Sequence, residues 1–156
     1  MGVSDVSSEA QRIEDVYQSS WTALTRLAFL LVGDIDEAHD IVQSVFATAT
    51  ARWAAIDDPS AYLKRAVVNR ANDFHRKEFR KAAAPPLERH GGLAEPNLDG
   101  VWKFVQALPP AQRSVVVLRY YADLSLIDTA ELLGRRASTV RSDLRRALNN
   151  LKRYLT

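Results

Sequence analysis

Ser138, Arg141, Ser142 and Arg145 recur at the i, i+3, i+4, i+7 spacing that aligns side chains on one face of a helix. Arginine forks donate to guanine edges and to phosphates, and serine hydroxyls bond to either, so such a face suits the major groove of a duplex. Arg135, Arg136, Thr139 and Arg146 flank it, and Arg135–Arg153 holds seven basic residues against one acid, Asp143. The other side of the stretch is apolar: Val140, Leu144, Ala147, Leu148, Leu151 and Leu155 predict a buried stripe. Upstream, Leu124–Gly134 predicts a short helix with Ile127, Ala130 and Leu133 buried, then a turn at Gly134. Ser138 follows as the N-cap of the next helix. Together these make a helix-turn-helix, whose second helix carries side chains to base edges. A solvated basic helix in an ordinary bundle has the same arginine count, but turn, cap and arginine face together favour DNA.

A second basic region, Lys64–Lys81, contains Lys64, Arg65, Arg70, Arg76, Lys77, Arg80 and Lys81 against Asp73 and Glu78. Tyr62, Phe74 and Phe79 interleave with it, while Asn69, Asn72 and Asp73 offer groups that read a base edge. Cations with aromatics suit a single strand, whose phosphates are neutralised while its bases stack on rings. Phe74 also lies on an apolar stripe, where a core role is the simpler reading.

Enzyme chemistry has no residues to carry it. His39, His75 and His90 are far apart, and no Walker loop, G-x-S-x-G or G-x-G-x-x-G occurs. Asp34, Asp36, Glu37 and Asp40 resemble a cation cluster, but they fall at a helix start, where the free N–H groups and the dipole favour carboxylates. No metal or cofactor is expected.

The elements that must hold these faces read as helices. Ile13, Tyr17, Trp21, Leu24, Ala28 and Leu31 form one stripe, stopped at Val32-Gly33-Asp34. Ala38, Ile41, Val42, Val45, Phe46, Ala49 and Trp53 form a second. A third starts at Asp58-Pro59-Ser60, with proline suited to a first helical turn, and runs through Tyr62, Leu63, Ala66, Val67, Arg70 and Phe74. Ala82-Ala83-Ala84-Pro85-Pro86, Gly91-Gly92 and Glu95-Pro96-Asn97 then break helical periodicity repeatedly. After them, helices are expected over Leu98–Leu108, Ala111–Ala122, Ser125–Leu133 and Ser138 to about Tyr154. The expected architecture is all-α: a flexible N-terminus over 1–12, a helical bundle over 13–80, a flexible linker over 81–97 and a helix-turn-helix domain over 98–156.

Composition agrees with a globular chain. Of 156 residues, 47% are hydrophobic and 26% charged, which places it outside the disordered and fibrous classes. With no cysteine, a disulfide framework and thiolate-bound metals are excluded, as fits a reducing cytosol. No apolar run approaches the roughly 18 residues of a membrane span, so a cytoplasmic protein without membrane insertion is expected. The net charge of +2 hides an asymmetry. Met1–Ser60 has three arginines against ten carboxylates, whereas Ala61–Thr156 has eighteen basic residues against nine acids. Two surfaces with different partners are implied, the basic one facing a polyanion.

The order of these parts resembles a known family. Gly33-Asp34-x-Asp36-Glu37-Ala38-x-Asp40-Ile41-Val42-Gln43-x-x-Phe46, Trp53 and Asp58-Pro59-x-Ala61-Tyr62-Leu63-x-Arg65-Ala66-x-x-Asn69 resemble region two of extracytoplasmic-function (ECF) sigma factors. Leu108-Pro109-x-x-Gln112-Arg113-x-Val115-x-x-Leu118-Arg119-Tyr120 and Ser138-Thr139-Val140-Arg141-Ser142 resemble region four. The blocks stand in the family's order across nearly the whole chain and are most similar to the sigma-E-like subgroup. The resemblance implies a promoter-specificity subunit of bacterial RNA polymerase, monomeric when free and without catalysis of its own. Asp40, Gln43 and Phe46 match the positions that dock on the β′ clamp helices, with the β flap a second polymerase contact. Arg65, Asn69, Asn72, Asp73, Arg76 and Lys77 fall in the segment that opens and reads the minus-ten element, Asn69 and Asp73 matching its specificity loop. Arg136, Ser138, Thr139, Arg141, Ser142, Arg145 and Arg146 fall in the reader of the minus-thirty-five element. The linker would thread the RNA exit path, and an anti-sigma factor is an expected partner. Two other readings stay open on residues alone. A duplex-binding regulator acting without polymerase leaves the acidic helix and Lys64–Lys81 idle. A sigma-like protein reduced to an interaction partner leaves Asn69, Asp73 and the arginine face idle.

Overall fold

Gly33 ends the first helix because the chain there turns into the left-handed region, at φ 74°. Its N–H donates to the Phe29 carbonyl at 2.8 Å. The next residue starts another helix: the Asp34 carboxylate accepts from the N–H groups of Asp36 at 2.9 Å and Glu37 at 3.2 Å. This is the helix-start role expected of the acidic cluster. A computed structural model describes residues 3–80 and 100–155, and among these every regular element is helical. The elements are α1 (Val3–Val32), α2 (Ile35–Ala51), a 3-10 turn (Trp53–Ala55), α3 (Pro59–Arg80), α4 (Trp102–Val105), α5 (Pro110–Val116), a π turn (Val117–Tyr121), α6 (Leu126–Leu133) and α7 (Ala137–Leu155). Residues 81–97, read as a linker, lie outside the described residues.

The three expected stripes converge. Leu24–Val32 of α1, Ile41, Val42, Val45 and Phe46 of α2, and Leu63, Val67, Val68 and Ala71 of α3 form one buried cluster. That cluster continues without a break into Val105, Leu108, Val116, Val117 and Leu118, so the two halves of the chain share a core. A smaller cluster of Val115, Ala130 and Val140 closes the helix-turn-helix.

Several local expectations are corrected. α1 begins at Val3, well before the apolar stripe at Ile13, and its first turns are exposed. Of the helix expected over Leu98–Leu108, the residues from 100 on are described and are α-helical over Trp102–Val105 only, and the helix expected over Ala111–Ala122 passes into the π turn. Ser138 is not a cap, since α7 starts one residue earlier at Ala137. Ser125 is one: its hydroxyl accepts from the Asp128 N–H at 3.0 Å. Ile127 is 73% exposed rather than buried. The inward face of α6 is Leu126, Thr129, Ala130 and Leu133, and Ile127 lies one helical step, about 100°, off it. In α7 the inward face is Val140, Asp143, Leu144, Ala147 and Leu151, so Leu148 (38%) and Leu155 (63%) emerge at its edge. Arg70, placed on the α3 stripe, is exposed and donates to Thr48 Oγ1 at 3.4 Å, Val68 and Ala71 filling the core instead.

Candidate nucleic-acid interface

α6 ends at Gly134, which adopts φ 64°, and α7 begins three residues later. The turn between them is fixed by Arg135: its Nη1 donates to the Ala111 carbonyl at 3.1 Å and lies 3.5 Å from the Asp143 carboxylate. Asp143 is buried and also faces Arg146 at 3.9 Å. The one acid on the recognition helix therefore anchors the turn on the inner side and takes no place on the outer face. Across the same junction Asn150 Nδ2 donates to Gln112 Oε1 at 2.8 Å.

The outer face matches the spacing argument. Arg136, Ser138, Thr139, Arg141, Arg145 and Arg146 are exposed and Ser142 is half-buried. Arg141 and Arg145 make no ion pair or hydrogen bond among the described residues, so their guanidinium groups are held out with all donors unspent. Beside them runs an apolar groove of about 570 Å³, lined by Val101, Leu144, Leu148, Leu151 and Leu155. Arg141, Arg145 and Lys152 form its rim. Sequence reading missed this groove because it placed Leu148 and Leu155 inside.

The second face is on α3, where Arg65, Asn69, Asn72 and Arg76 stack along one side with Asp73 and Lys77 next to them. Arg65, Asn69, Asp73, Arg76 and Lys77 are exposed, and Asp73 holds Arg76 in a surface pair at 3.1 Å. Asn72 differs: it is half-buried, with Nδ2 donating to the Leu132 carbonyl of α6 at 3.3 Å. Phe74 packs on the core rather than standing out as a stacking platform. A shallow pocket of about 270 Å³ lies between α2 and α3, bringing Asp40 and Ser44 beside Asp73 and Lys77.

On α2, Asp40 and Gln43 are exposed, but Phe46 is only 4% exposed. Its ring lies 4.9 Å from that of Tyr17 and 6.2 Å from that of Trp21, so it serves to hold α2 on α1 and is not offered to a partner. Grouping it with Asp40 and Gln43 as a contact is corrected on that ground: the helical period turns it inward, onto the same stripe as Val42 and Ala49.

Polar groups that spacing did not single out tie the halves together. Lys64 Nζ donates to the Ala122 carbonyl at 3.4 Å, and Gln106 Nε2 donates to the Leu30 carbonyl at 3.1 Å. Arg113 is 9% exposed and donates to the Gln106 carbonyl at 3.4 Å. Burial pushes its guanidinium below the usual arginine range, and its Nε has no hydrogen-bond partner. Tyr121 is shifted up by burial, an effect opposed by the nearby Arg26 charge.

Residues 16–81 match the family model described as Sigma-70 region 2, and residues 98–151 match Sigma-70, region 4. The chain is 34% identical over 160 residues to the RNA polymerase sigma-E factor of Streptomyces coelicolor, covering 94% of this chain and 88% of that protein. Its identity to the RNA polymerase sigma factor SigV of Bacillus subtilis is 30%, over 84% of this chain and 83% of that one. In fold it is similar to the sigma factor RpoE of Bartonella quintana, solved in complex with the anti-sigma factor NepR. That likeness has a TM-score of 0.67 at 23% identity, over 91% of this chain and 97% of the other. The chain belongs to the extracytoplasmic-function sigma factors, non-catalytic initiation factors that bind core bacterial RNA polymerase and promoter DNA and direct promoter-specific transcription.

Proposed function

We propose that the two basic faces divide the promoter between them. Arg141, Ser142 and Arg145, with Arg136, Ser138, Thr139 and Arg146 around them, read the minus-thirty-five element as duplex. Asn69 and Asp73 read an opened base of the minus-ten element, while Arg65, Arg76 and Lys77 hold its phosphates. The observation that supports this most is the pair of exposed faces of different chemistry on separate helices. One presents arginine forks with unspent donors, and the other presents amide and carboxylate groups among cations. Arginine forks suit the major groove, and mixed amides with flanking cations suit a displaced strand. Residues 13–80 and 98–156 act as the two reading units.

Asp40 and Gln43 dock on the β′ clamp helices, with Phe46 keeping their helix in place. The basic-rimmed apolar groove of α7 is offered to the β flap. The protein works with polymerase in the cytoplasm and is monomeric when free. An anti-sigma factor controls it, as in the Bartonella complex. Run-off transcription with core polymerase tests the reading, combined with selection of promoter variants by each mutant. The wild-type chain makes core initiate, Asp40→Ala with Gln43→Ala weakens co-purification with core, and Asn69→Ala relaxes preference at one downstream base. A preference change in the upstream element for Asn69→Ala overturns the division of labour.

A further inference from the structure

Asp143 interrupts the inner stripe of α7, which is otherwise Val140, Leu144, Ala147 and Leu151. Packing alone would take an apolar side chain there. A buried carboxylate loses its hydration, and an apolar residue of similar size in its place is often as stable or more so. What the acid supplies is a fixed anion among arginines. One carboxylate oxygen lies 3.5 Å from Arg135 Nη1 and the other 3.9 Å from Arg146 Nη1. The same Arg135 Nη1 donates to the Ala111 carbonyl in the first turn of α5. The carboxylate thereby ties the start of α7 to α5, and the bond from Asn150 to Gln112 makes a second tie two turns further along. Arg141 and Arg145 stand two residues to either side of Asp143, which at about 100° per residue puts them nearly opposite it. Arg146 is on the flank, about 60° from Asp143, with its side chain two-thirds exposed.

We infer, building on the promoter reading above, that Asp143 is a positioning residue for the upstream reader and exchanges affinity for discrimination. Without touching DNA it sets the seat of α7 through Arg135, so that Arg141 and Arg145 meet base edges at one angle. Through Arg146 it keeps a guanidinium on the flank from swinging onto whichever phosphate is nearest. Its charge also offsets one of the seven basic residues in Arg135–Arg153, which weakens attraction to DNA of any sequence. These effects share a sign: each favours the matched element over the rest of the duplex. A base contact needs fixed geometry, whereas a phosphate contact carries no sequence information. Removing the acid is therefore expected to move general affinity and preference in opposite directions.

Asp143→Asn keeps the shape and removes the charge, and Asp143→Leu continues the apolar stripe. Free full-length protein is titrated onto a short fluorescein-labelled duplex of scrambled sequence at several salt concentrations. Both variants should bind it more tightly than wild type, with the slope of log K against log salt steeper by about 0.9, the value of one added phosphate contact. Holoenzyme made with core polymerase then selects from a promoter library randomised over the upstream element. Preference among upstream sequences should fall about tenfold in both variants, the worth of one arginine–base contact, with downstream preference unchanged. Weaker binding to scrambled duplex and promoter alike, with the slope unchanged, marks a purely structural role and overturns the inference. So does full upstream preference in either folded variant. If Asp143→Asn does not fold, Asp143→Leu carries both measurements, and failure of both to fold overturns the inference, the carboxylate then being needed for stability. If wild-type holoenzyme shows no upstream preference and Arg141→Ala changes nothing, the promoter reading fails, while a steeper slope in the variants still supports the restraint by Asp143.

Discussion

Arg141 and Phe46, each assigned a contact by its own motif, are residues of opposite kinds. Arg141 stands exposed with its guanidinium unpaired, so removing it takes away a contact without disturbing the fold. A bidentate arginine–guanine contact is worth about 1–3 kcal/mol of discrimination. Arg141→Ala should therefore cut preference at one upstream position about ten- to a hundredfold, with melting temperature nearly unchanged and strand opening intact on a pre-melted template. Arg76→Gln should weaken binding evenly across sequences and lower its salt dependence, because phosphates carry no sequence information. Phe46 is the reverse case. Its buried ring packs against the touching rings of Tyr17 and Trp21, so Phe46→Ala should cost about 3–5 kcal/mol of folding stability. Denaturant titration checks this, and any loss of polymerase binding in that variant should follow the loss of folded protein.

At the scale of elements, two glycines end helices with nearly the same backbone and different surroundings. Gly33 and Gly134 both have positive φ, 74° and 64°, so alanine strains either turn by about 1–2 kcal/mol. Space separates them. Nothing lies within 4 Å of a Cβ at Gly134, whereas one at Gly33 meets Gln106 and Arg113. At 3.4 and 3.5 Å those are ordinary contacts, so Gly33→Ala and Gly134→Ala are expected to lose similar stability, each from its positive φ. Comparing denaturation midpoints of the two variants tests this. The π turn is also a local feature with a distant effect. Ala122 caps it, and the Ala122 carbonyl accepts from Lys64 on α3, while Tyr121 within it stands edge-on to Trp102, with ring centroids 5.6 Å apart.

For the whole molecule, Tyr121 supplies a pH test of the packing between the halves. Burial raises its phenol above the ordinary value of 10.0, so the unfolded chain gives up that proton first. Stability from this group is complete below the ordinary tyrosine value and declines as pH rises through it toward the higher folded value. Urea midpoints should fall from pH 9 to pH 11, and Tyr121→Phe should flatten that fall. A flat wild-type profile would contradict the assigned burial. The charge asymmetry has a consequence at the same scale. The arginine face on α7 is exposed, so weak, strongly salt-dependent binding of the free protein to duplex DNA is expected, without preference for the downstream element.

The helical class, the three converging stripes, the helix-turn-helix and the arginine face were legible in the sequence because each rests on a short-range period. Spacing of three and four residues assigns a helix face wherever the helix is long and its partner broad. That rule weakens where a helix is short or an apolar stripe is wide. Ile127 and Leu148 look buried by spacing, and only the position of the packed neighbours turned them outward. Phe46 illustrates a further limit: a motif preserves the order of residues but does not distinguish the one that contacts a partner from the one that supports it. The hydrogen bonds between the halves were wholly a matter of tertiary structure. Their acceptors are main-chain carbonyls, which every residue possesses and no sequence pattern marks, and their donors lie 58 to 76 residues away along the chain.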